Sequence, residues 1–335
     1  THAVIEASSH ALDQGRCEGI RFSVGVFSNL TGDHLDYHNN MDAYKQSKKR
    51  LFDGLDCDAA AVVNIDDPVG EEMLADCCAG RVLRCSLTQD GSRFSSHTPD
   101  VFADIDECSA KGTRFDVIIR RSGADSDGAD IESGRVDSPL IGEHNVQNSV
   151  LAAAAASALG IPPEVIAKGL ALVHFIPGRL ERVTPDNDPG FSVLVDYAHT
   201  DDALANVCSA LRGLVDSRLI VMFGCGGDRD CSKRPRMARV AAKFADVLVV
   251  TSDNPRTEDP QRIIDDILAG FEPDQMSRVC VEPDRRRAIA QAIALAEPGD
   301  MVLLAGKGHE TYQEIGRERV PFDDVAVANE ILSFK

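Results

Sequence analysis

At 335 residues the chain is too long for one ordinary core and suits two domains of typical size. Hydrophobic residues make up 43% and charged ones 27%, globular values, while the lack of Trp and only 5% aromatics argue against a platform for stacking bases. Lys and Arg number 35 against 54 Asp and Glu, and a net charge of −19 repels phosphate backbones and anionic lipid, so neither nucleic acid nor a membrane is expected as a partner.

Short runs rich in Val and Ile alternate with longer stretches of helical period, the pattern of β-α-β units around a mainly parallel sheet, and the fold class is read as α/β. Strands are expected at residues 3–7, 24–29 and 59–65, and helices at 41–52 and 145–159. Residues 81–120 are less regular, with β candidates at 81–86, 101–105 and 115–120, and are read as a β insertion or sheet edge followed by a polar loop. Within the second helix the alanines at 152–156 read as a close packing face. The turn at Pro177-Gly178 opens a second βαβ series, with strands near 192–196, 219–223, 247–251, 278–281 and 301–305 and helices in the gaps, as a doubly wound domain requires. The expected domains are therefore 1–177 and 178–335.

Ten Cys are scattered, including the adjacent Cys77 and Cys78, without the repeated C-x₂-C pairs of zinc sites or the framework of a secreted disulfide protein, so a reducing cytoplasm is expected. No apolar run of about 18 residues and no signal-peptide pattern occurs. The chain starts at Thr1 and passes at once into an apolar stretch that reads as the middle of a fold, so an N-terminal part is expected to be missing.

Polar clusters follow the expected strands, where ligands collect in an open α/β sheet. The first are Glu6-Ala7-Ser8-Ser9-His10 and the run from Asn29 to His38, which contains Asp33, His34 and Asp36. Ser8 and Ser9 also suit a helix cap and the aspartates a turn. Carboxylate with imidazole suits a divalent metal, and Mg²⁺ with a phosphate fits better than zinc. Lys48 shares a helical face with Tyr44 and Phe52; a solvated lysine is one outcome there, and a buried neutral amine able to take up CO₂ as a carbamate is the other. Further on, Asp196 and His199 end a strand, and Gly224-Cys225-Gly226-Gly227-Asp228-Arg229 does so one strand later. Those glycines fit either an anion or a tight turn. Asp253-Asn254-Pro255-Arg256 and Gly306-Lys307-Gly308-His309-Glu310 complete four loops that are read as one shared ligand site.

These motifs, in this order and together with Gly142-Glu143-His144-Asn145, resemble the Mur ligases from nearly Thr1 to Lys335. The resemblance implies the remainder of a P-loop-type central domain, 1–177, followed by a Rossmann-like C-terminal domain, 178–335. It further implies ATP and Mg²⁺ as cofactors, and the joining of meso-diaminopimelate to UDP-N-acetylmuramoyl-L-alanyl-D-glutamate through an acyl phosphate, by a cytoplasmic monomer. By the same resemblance Glu6, His34 and a carbamylated Lys48 hold the metal. Ser8, Gln14 and Arg16 meet the UDP-muramyl peptide, and Asn145, Arg179 and Asp196 surround adenine and ribose. Arg229, Asp253, Asn254, Pro255, Arg256, Gly306 and Glu310 take the diamino acid; Lys48, His34, Asp196 and His199 are the implied catalytic residues. The family's phosphate-binding loop is absent, since nothing fits G-x-x-x-x-G-K-[ST], and so is its uridine-holding domain. Rival readings are a folylpolyglutamate synthase or another Mur ligase, against which the loop at Asp253 to Arg256 argues, and a non-catalytic amino-acid-binding module.

Overall fold

The computed structural model describes residues 2–30, 35–38, 40–91, 94–121, 130–184, 189–215 and 217–334. By its contacts the chain divides into two units, Thr1–Cys108 with Gly112–Val173, and Ser109–Lys111 with His174–Lys335.

The first unit contains, in chain order, α1 (Ser9–Asp13), β1 (Val24–Phe27), α2 (Leu35–His38), α3 (Met41–Asp53), β2 (Ala60–Asn64), β3 (Arg81–Ser86), β4 (Val101–Ser109), β5 (Gly112–Arg121), β6 (Asp130–Ser138), α4 (Glu143–Ala158) and α5 (Pro163–Ala171). The strands form one sheet in the order β1-β2-β3-β4-β5-β6. Pairing is parallel from β1 to β4 and antiparallel between β5 and β6. Every residue of β2 is buried because the strand is covered on both faces. Successive residues point opposite ways: Val62 joins Phe115, Val117 and the α4 residues Val146, Val150 and Ala153, while Ala61 and Val63 join Phe27, Phe52 and Met73.

Two sequence expectations need correction in this unit. Residues 2–7 have no regular structure and Val4 is fully exposed, because an apolar run becomes a strand only beside a partner and none is bonded to it among the described residues. Residues 81–120, expected as a β insertion or a sheet edge, supply the interior strands β3, β4 and β5 of the one sheet, whose edge on this side is β6.

The second unit contains β7 (Glu181–Arg182), β8 (Ser192–Asp196), α6 (Asp201–Arg212), β9 (Leu219–Phe223), α7 (Lys233–Phe244), β10 (Val247–Val250), α8 (Pro260–Leu268), β11 (Val279–Val281), α9 (Arg285–Leu295), β12 (Met301–Ala305), β13 (Tyr312–Ile315), β14 (Glu318–Pro321) and α10 (Asp324–Ser333). The sheet order is β11-β10-β9-β12-β8-β7, with β8 to β12 parallel and β7 antiparallel at the edge, while β13 and β14 make a separate hairpin. Val195, Ile220, Met222 and Leu304 pack with Ile289 and Ile293 of α9 and Val327 of α10. The alternate residues Leu194, Val221 and Leu303 are equally buried, so the opposite face is covered too. Side-chain caps at Thr200, Asp259, Asp284 and Asp323 start α6, α8, α9 and α10. Because β12 lies between β9 and β8, the carboxyl ends of four adjacent parallel strands, β10, β9, β12 and β8, bring their loops together. Among the described residues no helix is long and apolar enough to cross a membrane.

Candidate functional site

The loop after β9 is glycine-rich for a reason that the sequence left open. A Cβ on Gly224 would stand 2.4 Å from the Thr251 carbonyl oxygen, and one on Gly227 would stand 2.0 Å from that of Pro255. These glycines let one loop backbone lie against the next. Within the loop the Cys225 thiol is buried beside Met237, and burial pushes it up to about 12, so it packs rather than reacts.

Beneath the loop after β10 lies a buried polar network. Asn254 donates from Nδ2 to Glu310 Oε2 at 2.9 Å and accepts at Oδ1 from Lys307 Nζ at 3.1 Å and from the Glu314 backbone N–H at 2.9 Å. Lys307 Nζ also donates to Glu310 Oε2 at 2.9 Å although the side chain has no exposed surface. A lysine so placed must be paired. Asp253 accepts the Asn254 N–H at Oδ1, while its buried Oδ2 has no hydrogen-bond partner and lies 4.0 Å from Arg285 Nη1. The fully buried Arg285 is itself bound by Asp324 at 2.8 and 2.5 Å. At Gly306 a Cβ would approach Asp253 Oδ2 to 2.7 Å, so only a bare backbone can lie against this carboxylate.

Beside this network Asp228, Arg229, Arg256, Glu314, Gly316, Arg317 and Arg319 line a cleft of ≈ 340 Å³. Its charge is four guanidiniums against two carboxylates. Arg256 donates from Nε to Glu314 Oε2 at 2.8 Å and from Nη1 to the Gly227 carbonyl at 2.7 Å, and Arg319 Nε donates to Glu314 Oε1 at 3.1 Å. Burial works against ionisation of Glu314, but the two arginines outweigh it and hold the carboxyl below its ordinary range.

The residues expected around adenine and ribose have distinct settings. Asp196 is buried and accepts the N–H groups of Leu180 and Ala198, each at 2.8 Å. Burial raises its pKa in spite of those bonds. Arg179 lies over the Tyr197 ring at 5.5 Å, and the same ring meets His199 at 4.6 Å and His309 at 5.1 Å. In the first unit Asn145 is buried near the start of α4, its Nδ2 donating to the Ile141 carbonyl at 2.9 Å.

Ser8 caps α1 through the Ala11 N–H, which is the structural role the sequence allowed. Gln14 accepts from Arg16 at 2.6 and 3.0 Å and donates to Tyr37 Oη at 3.2 Å, next to a cleft of ≈ 450 Å³ lined by Asp13, Tyr37, His38, Ala43, Gln46, Ser47 and Arg50. Lys48 is half-buried, its Nζ 5.2 Å from the centre of the Tyr44 ring. Glu6 is exposed in the irregular N-terminal stretch, and His34, with Asp33, lies outside the described residues. Among the described residues no three His, Cys, Asp or Glu side chains converge to hold a metal.

Sequence reasoning left Lys307, Arg285, Asp324, Glu314, Arg317 and Arg319 without a role. Only Lys307 sat inside a motif already singled out; nothing in the spacing of the others marks them.

A family profile described as the Mur ligase middle domain matches residues 1–156, and one described as the Mur ligase glutamate ligase domain matches 178–308. The chain is 44% identical over 334 residues to the UDP-N-acetylmuramoyl-L-alanyl-D-glutamate--2,6-diaminopimelate ligase of Solibacter usitatus, covering 99% of this chain and 63% of that protein. It is 46% identical over 341 residues to the ligase of the same name from Synechococcus sp. (strain WH7803), covering 98% and 63%. A solved structure of such a ligase matches with a TM-score of 0.62 at 37% identity, over 98% of this chain and 63% of that one. A folylpolyglutamate synthase from Thermotoga maritima matches with a TM-score of 0.57 at 16% identity, over 84% and 57%, which is a likeness of fold alone. The chain thus spans less than two thirds of the length of these relatives, and with both profiles matched in order along it, it belongs to the Mur ligase family.

Proposed function

We propose that the second unit is the amino-acid site of a ligase that joins meso-diaminopimelate to UDP-N-acetylmuramoyl-L-alanyl-D-glutamate with ATP. The observation that carries this reading is the cleft lined by Arg229, Arg256, Arg317 and Arg319 beside the Asp253, Asn254 and Glu310 network. A diamino diacid needs both signs of charge at close range. The guanidiniums suit its carboxylates, and the carboxylate of Glu310 suits an ammonium group.

In the proposed reaction ATP phosphorylates the γ-carboxylate of the D-glutamyl residue, and the free amine of the diamino acid displaces phosphate through a tetrahedral intermediate. Mg²⁺ would offset the negative charge gathered at the phosphates. The chain's own share is to bind and orient the amine, with Arg179, Tyr197, His199 and His309 as the patch offered to the nucleotide and Asp196 bracing the loop that presents them. Gln14 and Arg16 are assigned to the muramyl peptide. Lys48 is assigned as a carbamate; ¹³CO₂ should give this chain a carbamate carbon signal that Lys48→Arg lacks. The reading also takes the protein to be a cytoplasmic monomer, in keeping with ten unpaired cysteines.

The test is calorimetric titration of the chain with meso-diaminopimelate and with L-lysine, for wild type and Arg256→Ala. Lysine brings no distal carboxylate, yet Arg256 then keeps Glu314, so the preference should be modest: about 1.4–2.7 kcal/mol, or roughly ten- to a hundredfold. Equal binding of the two ligands by the wild type would refute the assignment.

A further inference from the structure

Arg256 sits at φ 50°, in the left-handed region that a long side chain adopts only when its surroundings hold it there. What holds it is the β13–β14 hairpin. The Arg256 N–H donates to the Glu314 carbonyl at 3.0 Å, the Gly316 N–H donates to the Arg256 carbonyl at 2.7 Å, and the Glu314 carboxylate takes Arg256 Nε at 2.8 Å. The same Glu314 gives its backbone N–H to Asn254 Oδ1, and its second oxygen takes Arg319 Nε. One residue therefore fixes the backbone and the fork of Arg256, the carboxamide of Asn254 and a second guanidinium of the cleft.

We propose that Glu314 is a positioning residue that sets the specificity of this cleft for a diacid by acting through Arg256. The inference rests on the amino-acid site proposed above and adds a determinant outside the four strand-end loops. Without the carboxylate, Arg256 retains its charge and its Nη1 bond to the Gly227 carbonyl but loses the clamp on Nε, and a guanidinium held at one point selects less sharply for a carboxylate in a given place. Arg319, released from the same group, keeps among the described residues only its stacking on the Tyr312 ring.

The experiment titrates the whole chain with meso-diaminopimelate and with L-lysine in wild type, Glu314→Ala, Glu314→Gln, Arg256→Ala and the double variant Arg256→Ala with Glu314→Ala. Glu314→Ala should weaken diaminopimelate binding about tenfold and reduce the preference over lysine by a similar factor, with Glu314→Gln between it and the wild type. In the Arg256→Ala background the second change should alter the preference by less than about twofold, because the two residues act as one unit. That lack of additivity separates positioning from a merely structural role, and Glu314→Gln, which keeps the shape and the backbone bonds, gives the reading even if Glu314→Ala unfolds the hairpin. An undiminished preference in both Glu314 variants, or effects that add in full in the double variant, would overturn the proposal while leaving the amino-acid site standing. A wild-type chain without preference for diaminopimelate would remove that site and this inference with it.

Discussion

Single residues in the second unit show how buried charge is tolerated when each oxygen and N–H has a partner. Asp300, 2% exposed, joins the starts of β9 and β12: its oxygens accept from Ser217 Oγ, the backbone N–H groups of Arg218 and Glu297, and Arg218 Nη2 at 2.7 Å. Burial alone would raise its pKa, but the Arg218 guanidinium and these other donors overcome that and bring it down to about 2. A carboxyl whose folded pKa lies below its unfolded value stabilises the fold fully above the unfolded value. That contribution is lost as pH falls through the folded one. The stability of the second unit should therefore hold down to about pH 4 and drop steeply towards about pH 2. Asp300→Asn should cost roughly 1–3 kcal/mol at neutral pH, and the gap to wild type should close in the acid range. Denaturant midpoints at several pH values read this directly; a gap that stays constant with pH would rule out the charged form as the source.

Among the elements, the loops at the strand ends are joined backbone to backbone. Gly178, at φ 66°, would place a Cβ 2.2 Å from the His309 N and 2.4 Å from the Gly308 carbonyl carbon, so the turn before β7 is wedged against the loop after β12. Gly178→Ala should destabilise the unit by more than about 2 kcal/mol and loosen the Tyr197–His309 ring contact. Gly316, in the hairpin turn at φ 62° with nothing within 4 Å, is the control. Its replacement by Ala should cost only about 1 kcal/mol. Equal thermal shifts in the two variants would mean that strain alone, without the close approach, accounts for the loss. The same contrast explains which elements could be read in advance. β9 and β12 stand at 219–223 and 301–305, where they were expected, because an apolar run buried on both faces carries its signal in composition. β14 is wholly exposed and β6 mixes charge with Gly, so no run marks them; residues 3–7 carried the run and lacked the partner. The loops of the site were legible as clusters after strands. Arg285 and Glu314 were not, since in sequence a buried cation and a clamping carboxylate look like any surface charge.

At the scale of the whole molecule, the net charge of −19 and the local cleft pull a ligand in opposite directions. L-lysine carries one positive charge at neutral pH and diaminopimelate carries none, so the long-range field of the chain works against the proposed preference for diaminopimelate. Under the proposed assignment, discrimination comes from Arg256 and its neighbours at contact distance. The two effects differ in range, and salt separates them. At an ionic strength of about 0.15 M the screening length is about 8 Å, and at 1 M about 3 Å, so added salt removes the distant attraction for lysine first and the contact between a carboxylate and a fixed guanidinium last. The preference for diaminopimelate should accordingly rise, by about two- to threefold, when salt is increased from about 0.02 to about 0.15 M, even as the affinity for lysine falls. Arg256→Ala should lose most of the preference at every salt concentration while its lysine affinity keeps the same dependence. Competition titrations at several salt concentrations measure both quantities at once. A preference that falls with salt would show that the field at the cleft is already positive at long range, and that the four guanidiniums, rather than the acidic surface, govern the approach of the ligand.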